Sequence, residues 1–183
     1  RLVPGLRLDY EYELGYLALD PRLSVFQQLG EKTLLKGAVG LHQQPPDYRM
    51  GQWTDEFGNP DLGPERSLQS MLGVERRLTG AISVDVQLYY KRLTALSYQT
   101  DRTIERDGEP VLERWANVGD GYTYGAEILL RHELTRNFFG WVAYSYSRSL
   151  RRSALSQSGD YRTGAYDQPH HVVAVASYKW PYD

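Results

Sequence analysis

Apolar and polar residues alternate with a period of two along most of this chain, and the spacing of an amphipathic helix is almost absent. Over residues 82–91, Ile82, Val84, Val86, Leu88 and Tyr90 fall on one face, and Ser83, Asp85, Gln87, Tyr89 and Lys91 on the other. Residues 5–12 repeat the pattern, with Leu6, Leu8, Tyr10 and Tyr12 opposite Gly5, Arg7, Asp9 and Glu11. Residues 124–131 do so again, with Tyr124, Ala126, Ile128 and Leu130 opposite Gly125, Glu127, Leu129 and Arg131. Weaker alternation runs through 22–29, 33–42, 68–78, 138–147 and 172–180. The pattern predicts about eight strands of about nine or more residues, longer than is usual in a soluble sheet.

The predicted connections alternate between two kinds. Residues 30–32, 78–80 and 135–137 carry the Gly, Asn and Thr chemistry of tight turns. Residues 45–66, 100–117 and 153–170 are long, polar and rich in Gly, Pro, Asp and Arg. Residues 13–20, of middling length, occupy a long-loop position. One end of the sheet therefore carries the elaboration, as in outer-membrane barrels with short periplasmic turns and long outer loops.

The faces bear on the same choice. A membrane barrel turns its apolar stripe to lipid and its polar face to the lumen, the inverse of a soluble barrel. Tyr10, Tyr12, Tyr90, Tyr124, Tyr146 and Tyr178 lie near strand ends on the apolar face, where an aromatic girdle belongs. The opposite face mixes both signs of charge: Arg7, Asp9, Glu11, Lys36, Glu75, Arg77, Asp85, Lys91, Glu127 and Arg131. On pattern alone, a soluble antiparallel sheet with a solvated charged face is the competing reading.

Composition narrows the field. The 183 residues suit one domain, and 21 Lys and Arg against 23 Asp and Glu argue against a nucleic-acid binder. The absence of cysteine excludes a disulfide scaffold, a thiol nucleophile and a Cys-type zinc site. Mean hydropathy is −0.55, and no window approaches the roughly 18 apolar residues of a spanning helix. Neither observation excludes a barrel, whose strands are half apolar. The 15 Tyr and 4 Trp, beside only 4 Phe, favour strands and water–lipid interfaces.

An ordered series of motifs narrows it further. Asn59-Pro60-Asp61-Leu62-Gly63-Pro64-Glu65, leading into a strand, resembles the NP-x-L-x-P-E segment of TonB-dependent outer-membrane receptors. Two prolines stiffen the descent of a loop, and Glu65 and Arg66 are placed to tie its end down. Asp20-Pro21-Arg22-Leu23-Ser24 and Thr33-Leu34-Leu35-Lys36-Gly37, ending at Gln43-Gln44-Pro45-Pro46, resemble the hairpin that precedes it. Asn117-Val118-Gly119, followed by Tyr124-Gly125-Ala126-Glu127, is similar to the N-x-G…GxE strand start of that family. The run from Trp141 to Ser147 and Asp167-Gln168-Pro169-His170-His171 resemble later strands, with Pro169 where the family often has Arg.

The resemblance implies an all-β, antiparallel transmembrane barrel of about 22 strands, of which about eight are visible. It implies that residues 1–183 are part of the barrel domain, with the plug domain, the energy-coupling box and the remaining strands outside this segment. The opening Arg-Leu-Val-Pro-Gly and the short closing turn Trp180-Pro181-Tyr182-Asp183 fit that expectation of an internal portion.

Enzyme-like features are weak. Arg131-His132-Glu133-Leu134-Thr135 lacks the second His of a zincin and lies on a strand. His170 and His171 are neighbours on a strand and point to opposite faces, a poor arrangement for joint chelation. Tyr166-Asp167 beside His170 hints at a hydrolytic pair, but no Ser or second carboxylate is arranged around it or around His42. Gly119-Asp120-Gly121 and Ser158-Gly159-Asp160 each offer one carboxylate, short of a calcium site. No catalytic residue, metal site or cofactor is expected.

The long loops hold the stronger candidates. Tyr48, Arg49, Trp53, Asp55 and Phe57 cluster in one, and Arg102, Arg106, Glu113, Arg114 and Trp115 in another. Aromatics beside Arg suit a polar ligand, although loop-on-loop packing explains them equally well. Tyr48, Arg49, Trp53, Arg102, Arg106 and Trp115 are therefore the candidate ligand residues. Arg7, Asp9, Asp85, Glu127 and Arg131 are candidates for facing the lumen or a plug.

The resulting expectation is a bacterial outer-membrane receptor, not an enzyme. It would bind a scarce nutrient (a metal chelate, cobalamin, carbohydrate or peptide) and import it with TonB-coupled energy. Its partners would be outer-membrane lipid, its own plug domain, the TonB complex and the nutrient, with no nucleic acid. The alternatives are a small closed barrel serving as anchor or enzyme, and a soluble β-sheet binding module.

Overall fold

Among the described residues every regular element is a β-strand. The computed structural model describes residues 1–12, 14–47, 51–54, 58–156, 158–164 and 167–180. The strands are β1 (Leu2–Glu11), β2 (Tyr16–Leu29), β3 (Thr33–Gln44), β4 (Glu65–Arg77), β5 (Ile82–Gln99) and β6 (Thr103–Arg106). They continue with β7 (Glu109–Leu112), β8 (Trp115–His132), β9 (Phe138–Ser153), β10 (Arg162–Thr163) and β11 (His170–Tyr178). One antiparallel sheet runs β1-β2-β3-β4-β5-β8-β9, with β10 and β11 both paired to β9. β6 and β7 form a separate hairpin above it.

Eight of these strands are long, as the alternation predicts. Three connections differ from expectation, the stretch 153–170 by holding the short β10. Residues 13–20 were expected to form a loop, yet β2 begins at Tyr16, because Leu17 and Leu19 continue the apolar face against Tyr10 and Leu8. The Gly15 N–H donates to the Tyr12 carbonyl at 3.3 Å, and Gly15 takes a φ of 63°. Residues 100–117 hold the β6–β7 hairpin and the start of β8. Asp107 and Gly108, at φ 53° and 85°, make the two-residue turn that matches strand twist.

Register aligns the faces. Leu2, Val25, Gly37, Leu72, Leu88, Ala126, Tyr146 and His170 form one row across all eight long strands. The next residue on each strand belongs to the other face, so a shift of one would put residues such as Arg7, Asp85 and Glu127 where Leu8, Val86 and Ile128 stand. The apolar face has no cover: Leu6 is 61% exposed, Leu72 71% and Leu88 58%. Such a surface is stable against lipid rather than water. Tyr90, Tyr122 and Tyr124 band it near the loop end, with successive ring centroids 6.3 Å apart. Tyr178 and Trp180 do so at the other end.

The sheet is open. Among the described residues β1 pairs only with β2, and β11 only with β9. The closure of β1 on the last strand that a small stand-alone barrel requires does not occur. What little burial exists gathers at the loop end, around Asn59, Leu62, Leu96, Glu113 and Ala116.

Candidate functional site

The loop end is built by two motifs that dock on each other. The Asn59 side chain donates to the Trp115 carbonyl at 2.8 Å and accepts from Arg106 Nη2 at 2.7 Å. The Asn117 amide closes a reciprocal pair with Gly63, accepting from its N–H at 2.7 Å and donating to its carbonyl at 3.1 Å. It also donates to the Ala95 carbonyl at 2.8 Å. Ala95 sits at a register break in β5 with φ 56°, so a strained bulge offers this carbonyl to Asn117. Glu65 accepts from the Ser97 N–H at 2.8 Å, anchoring the loop where β4 begins. The Tyr98 ring lies over Gly119, where a Cβ would come within 2.2 Å of it.

This frame employs several of the candidate ligand residues. Arg102 pairs with the buried Glu113 at 2.6 Å. Arg106 holds Asn59 and approaches Asp61 at 3.3 Å. Trp115 opens β8 and contributes its carbonyl, and Trp53 is half-buried. Tyr48 and Arg49, with Asp55 and Phe57, lie outside the described residues.

Beside the frame, on the polar face, opens a cavity of about 550 Å³ lined by Tyr98, Ser147, Ser149, Arg151, Asp160 and Arg162, among others. Arg151 and Arg162 stand directly opposite each other across the β9–β10 ladder, on the same face. Neither makes an ion pair among the described residues. Like charges directly opposed destabilise a strand pair, so the pair is suited to an anion between them. Ser145, Ser147 and Ser149 continue the same face below, keeping the approach small and polar. Sequence reasoning passed over both arginines. The clue lay in Arg151 continuing that serine alternation along β9 toward a long loop.

Further down the polar face, Lys36 bridges Glu75 at 3.1 Å and Asp85, while Gln87 donates to Asp85. Arg7 pairs with Asp9 at 2.6 Å, and Arg131 lies 3.7 Å from Glu133. Asp85, Gln87, Glu127 and His171 line a second hollow of about 320 Å³. Arg7, Asp9, Asp85, Glu127 and Arg131 thus share one face, opposite the leucines. His170 and His171 point to opposite faces, His170 accepting or donating at 2.8 Å with the Tyr144 hydroxyl. Among the described residues no three His, Asp or Glu side chains gather as metal ligands.

A family model described as the β-barrel of TonB-dependent receptor-like proteins matches residues 1–183. No curated protein matches the chain by sequence. Among solved structures, the siderophore receptor PirA from Pseudomonas aeruginosa is similar, at 21% identity and a TM-score of 0.62 over 85% of this chain. The ferric-catecholate import receptor Fiu from Escherichia coli gives 15% and 0.65 over 90%. The outer-membrane transporter YddB from Escherichia coli gives 15% and 0.62 over 82%. The chain spans only 34%, 23% and 22% of those three proteins.

Proposed function

The chain belongs to the TonB-dependent receptor-like β-barrel family of the bacterial outer membrane, and from that premise we propose that it is one sector of a nutrient-import receptor. The eight long strands form part of a larger closed barrel of about 22 strands, whose other strands and plug lie elsewhere in the protein. The polar face lines the lumen, where Asp85, Glu127 and the Lys36 cluster meet the plug. TonB acts on that plug to release the nutrient inward, and the protein performs binding and gating without covalent chemistry.

The observation that carries the reading is the opposed Arg151 and Arg162, with no ion pair among the described residues, in a cavity at the loop end of the lumen face. Their forks suit an oxygen-rich anion, and Tyr98 supplies an aromatic wall. Of the nutrients such receptors take, an anionic metal chelate fits best, in keeping with two of the similar structures being a siderophore receptor and a ferric-catecholate receptor. Trp53 belongs to the outer capture surface, while Arg102, Arg106 and Trp115 hold that surface in shape.

Binding of a ferric tris-catecholate to the full-length receptor, followed by tryptophan quenching, tests this. Arg151→Gln with Arg162→Gln weakens the anionic chelate by about 100-fold, taking ~1.4 kcal/mol per tenfold step. An uncharged ferric tris-hydroxamate changes little. Equal binding of the anionic chelate by wild type and variant would sink the assignment.

A further inference from the structure

Between β9 and β11 the chain follows the rim of the wall, and successive residues take opposite sides of it. Asp160 and Arg162 line the anion cavity on the polar side. Tyr161, between them, is held by groups of the other side. Its hydroxyl donates to Asp120 Oδ2 at 2.6 Å and accepts from Arg92 Nη1 at 3.3 Å. Its ring meets Tyr122 edge-on, with centroids 5.0 Å apart, and the Arg152 guanidinium sits 4.6 Å from its centre. All four partners belong to the face of the leucines. Thr94, Asp120 and Arg152 form one row there, and Arg92, Tyr122 and Leu150 the next. Thr163 returns to the same side, opposite Leu150, and its hydroxyl accepts from Arg148 Nη2 at 3.4 Å.

Asp120 is the centre of this cluster. Besides Tyr161 it accepts from Arg92 Nη2 and Arg152 Nε, both at 2.7 Å. These are charge-assisted bonds from β5 and β9, so the acceptor that Tyr161 meets is itself fixed.

The pairing of β10 does not account for where β10 lies. Only Arg162 and Thr163 pair with β9, and the Arg162–Arg151 pair sets like charges directly opposite each other. Ordering so short a segment also costs backbone entropy. On the far side of Arg162, the Gly164 N–H donates to the Ser149 carbonyl at 3.0 Å, and the Asp167 carboxylate accepts from the Ser149 N–H at 2.8 Å. On the near side the anchor is Tyr161. In an extended chain neighbouring side chains point to opposite sides, so clamping Tyr161 outside commits Arg162 to the inside.

We propose that Tyr161 is the positioning residue of the anion site, an inference that rests on reading the Arg151–Arg162 cavity as the ligand site. Clamped to Asp120 on one side of the wall, it sets Arg162 against Arg151 on the other before a ligand arrives. The ligand then meets a formed pair of guanidinium forks and does not spend its own binding energy ordering the segment.

A double-mutant cycle in the full-length receptor tests this, with ferric tris-catecholate and an uncharged ferric tris-hydroxamate as probes and tryptophan quenching as the readout. Tyr161→Phe keeps the ring against Tyr122 and Arg152 but loses the bond to Asp120. It weakens the anionic chelate by about tenfold and leaves the uncharged one unchanged. In an Arg162→Gln background the same substitution costs nothing further, because Tyr161 acts only through Arg162. Asp120→Asn repeats both results from the other partner of the clamp and keeps the test open if Tyr161→Phe fails to fold. A full tenfold loss in the Arg162→Gln background overturns the proposal. So does equal weakening of both chelates, the mark of a merely structural role. Wild-type binding by Tyr161→Phe beside a weakened Arg162→Gln overturns this inference alone, whereas an Arg162→Gln receptor that binds the anionic chelate normally overturns the ligand-site reading and this inference with it.

Discussion

A methyl group on Gly119 would stand 2.2 Å from the Tyr98 ring and 2.7 Å from the Leu96 Cβ. The Leu96 Cβ cannot withdraw, because it is fixed to the backbone of a buried residue, and the Tyr98 ring escapes only by swinging toward the cavity and losing its place over Gly119. Gly119→Ala is therefore expected to cost about 1–3 kcal/mol, as overpacking does, and to lower the thermal midpoint of the full-length receptor. An unchanged midpoint would contradict the packing described. Asn59→Ala acts differently, leaving the Trp115 carbonyl without its donor and the Arg106 guanidinium with only its 3.3 Å approach to Asp61. A loss of about 1–3 kcal/mol follows, together with faster proteolytic nicking within residues 45–64. At this scale the sequence was readable in kind but not in role. Asn59, Glu65 and Asn117 stood in recognisable motifs, yet which carbonyl each would hold depends on a register break at Ala95 that no local pattern announces. Arg102 and Arg106 have the composition of ligand residues and make structural contacts with Glu113, Asn59 and Asp61, because side-chain chemistry alone does not reveal a partner many residues away.

The strands were legible because their faces differ so sharply. Leu72, on the lipid face of β4, and Ser147, on the polar face of β9, make a matched pair of sites for an introduced charge. Leu72→Arg is expected to cost about 2–4 kcal/mol, the penalty for arginine near the bilayer midplane. Ser147→Arg, facing the lumen, costs far less. Folding into vesicles at graded urea measures both, and similar losses at the two positions would contradict the face assignment. Period two reveals that faces exist, and the register confirms that they align across the sheet. Strand ends were less accessible: β2 starts at Tyr16 and β5 runs on to Gln99, since pairing with a neighbour extends a strand past the point where its alternation fades. The β6–β7 hairpin was missed inside a stretch taken for loop, although Asp107-Gly108 is a strong two-residue turn signal.

As a whole the molecule is a single curtain of strands with lipid chemistry on one side and polar chemistry on the other. Both edges, β1 and β11, are unpaired among the described residues, and a membrane wall tolerates no such edge in hydrocarbon. In the receptor proposed above, each edge takes a neighbouring strand. The sorted loops place the docked motifs and the Arg151–Arg162 cavity at one end of the sheet. Ligand identity was beyond the sequence because the cavity joins β5, β9 and β10, elements that only the fold brings together.

The central claim is that the leucine and tyrosine side meets lipid while the charged side lines a water-filled lumen. Because this chain contains no cysteine, single cysteines can be placed at each position from Tyr122 to Arg131 on β8 of the full-length receptor, in a background freed of any others. In proteoliposomes, a lipid-dissolved quencher should reach labels at Tyr124, Ala126, Ile128 and Leu130. A water-soluble quencher should reach those at Thr123, Glu127, Leu129 and Arg131. A strict alternation in that phase is the predicted result. Uniform exposure to water, or the opposite phase, would contradict the account.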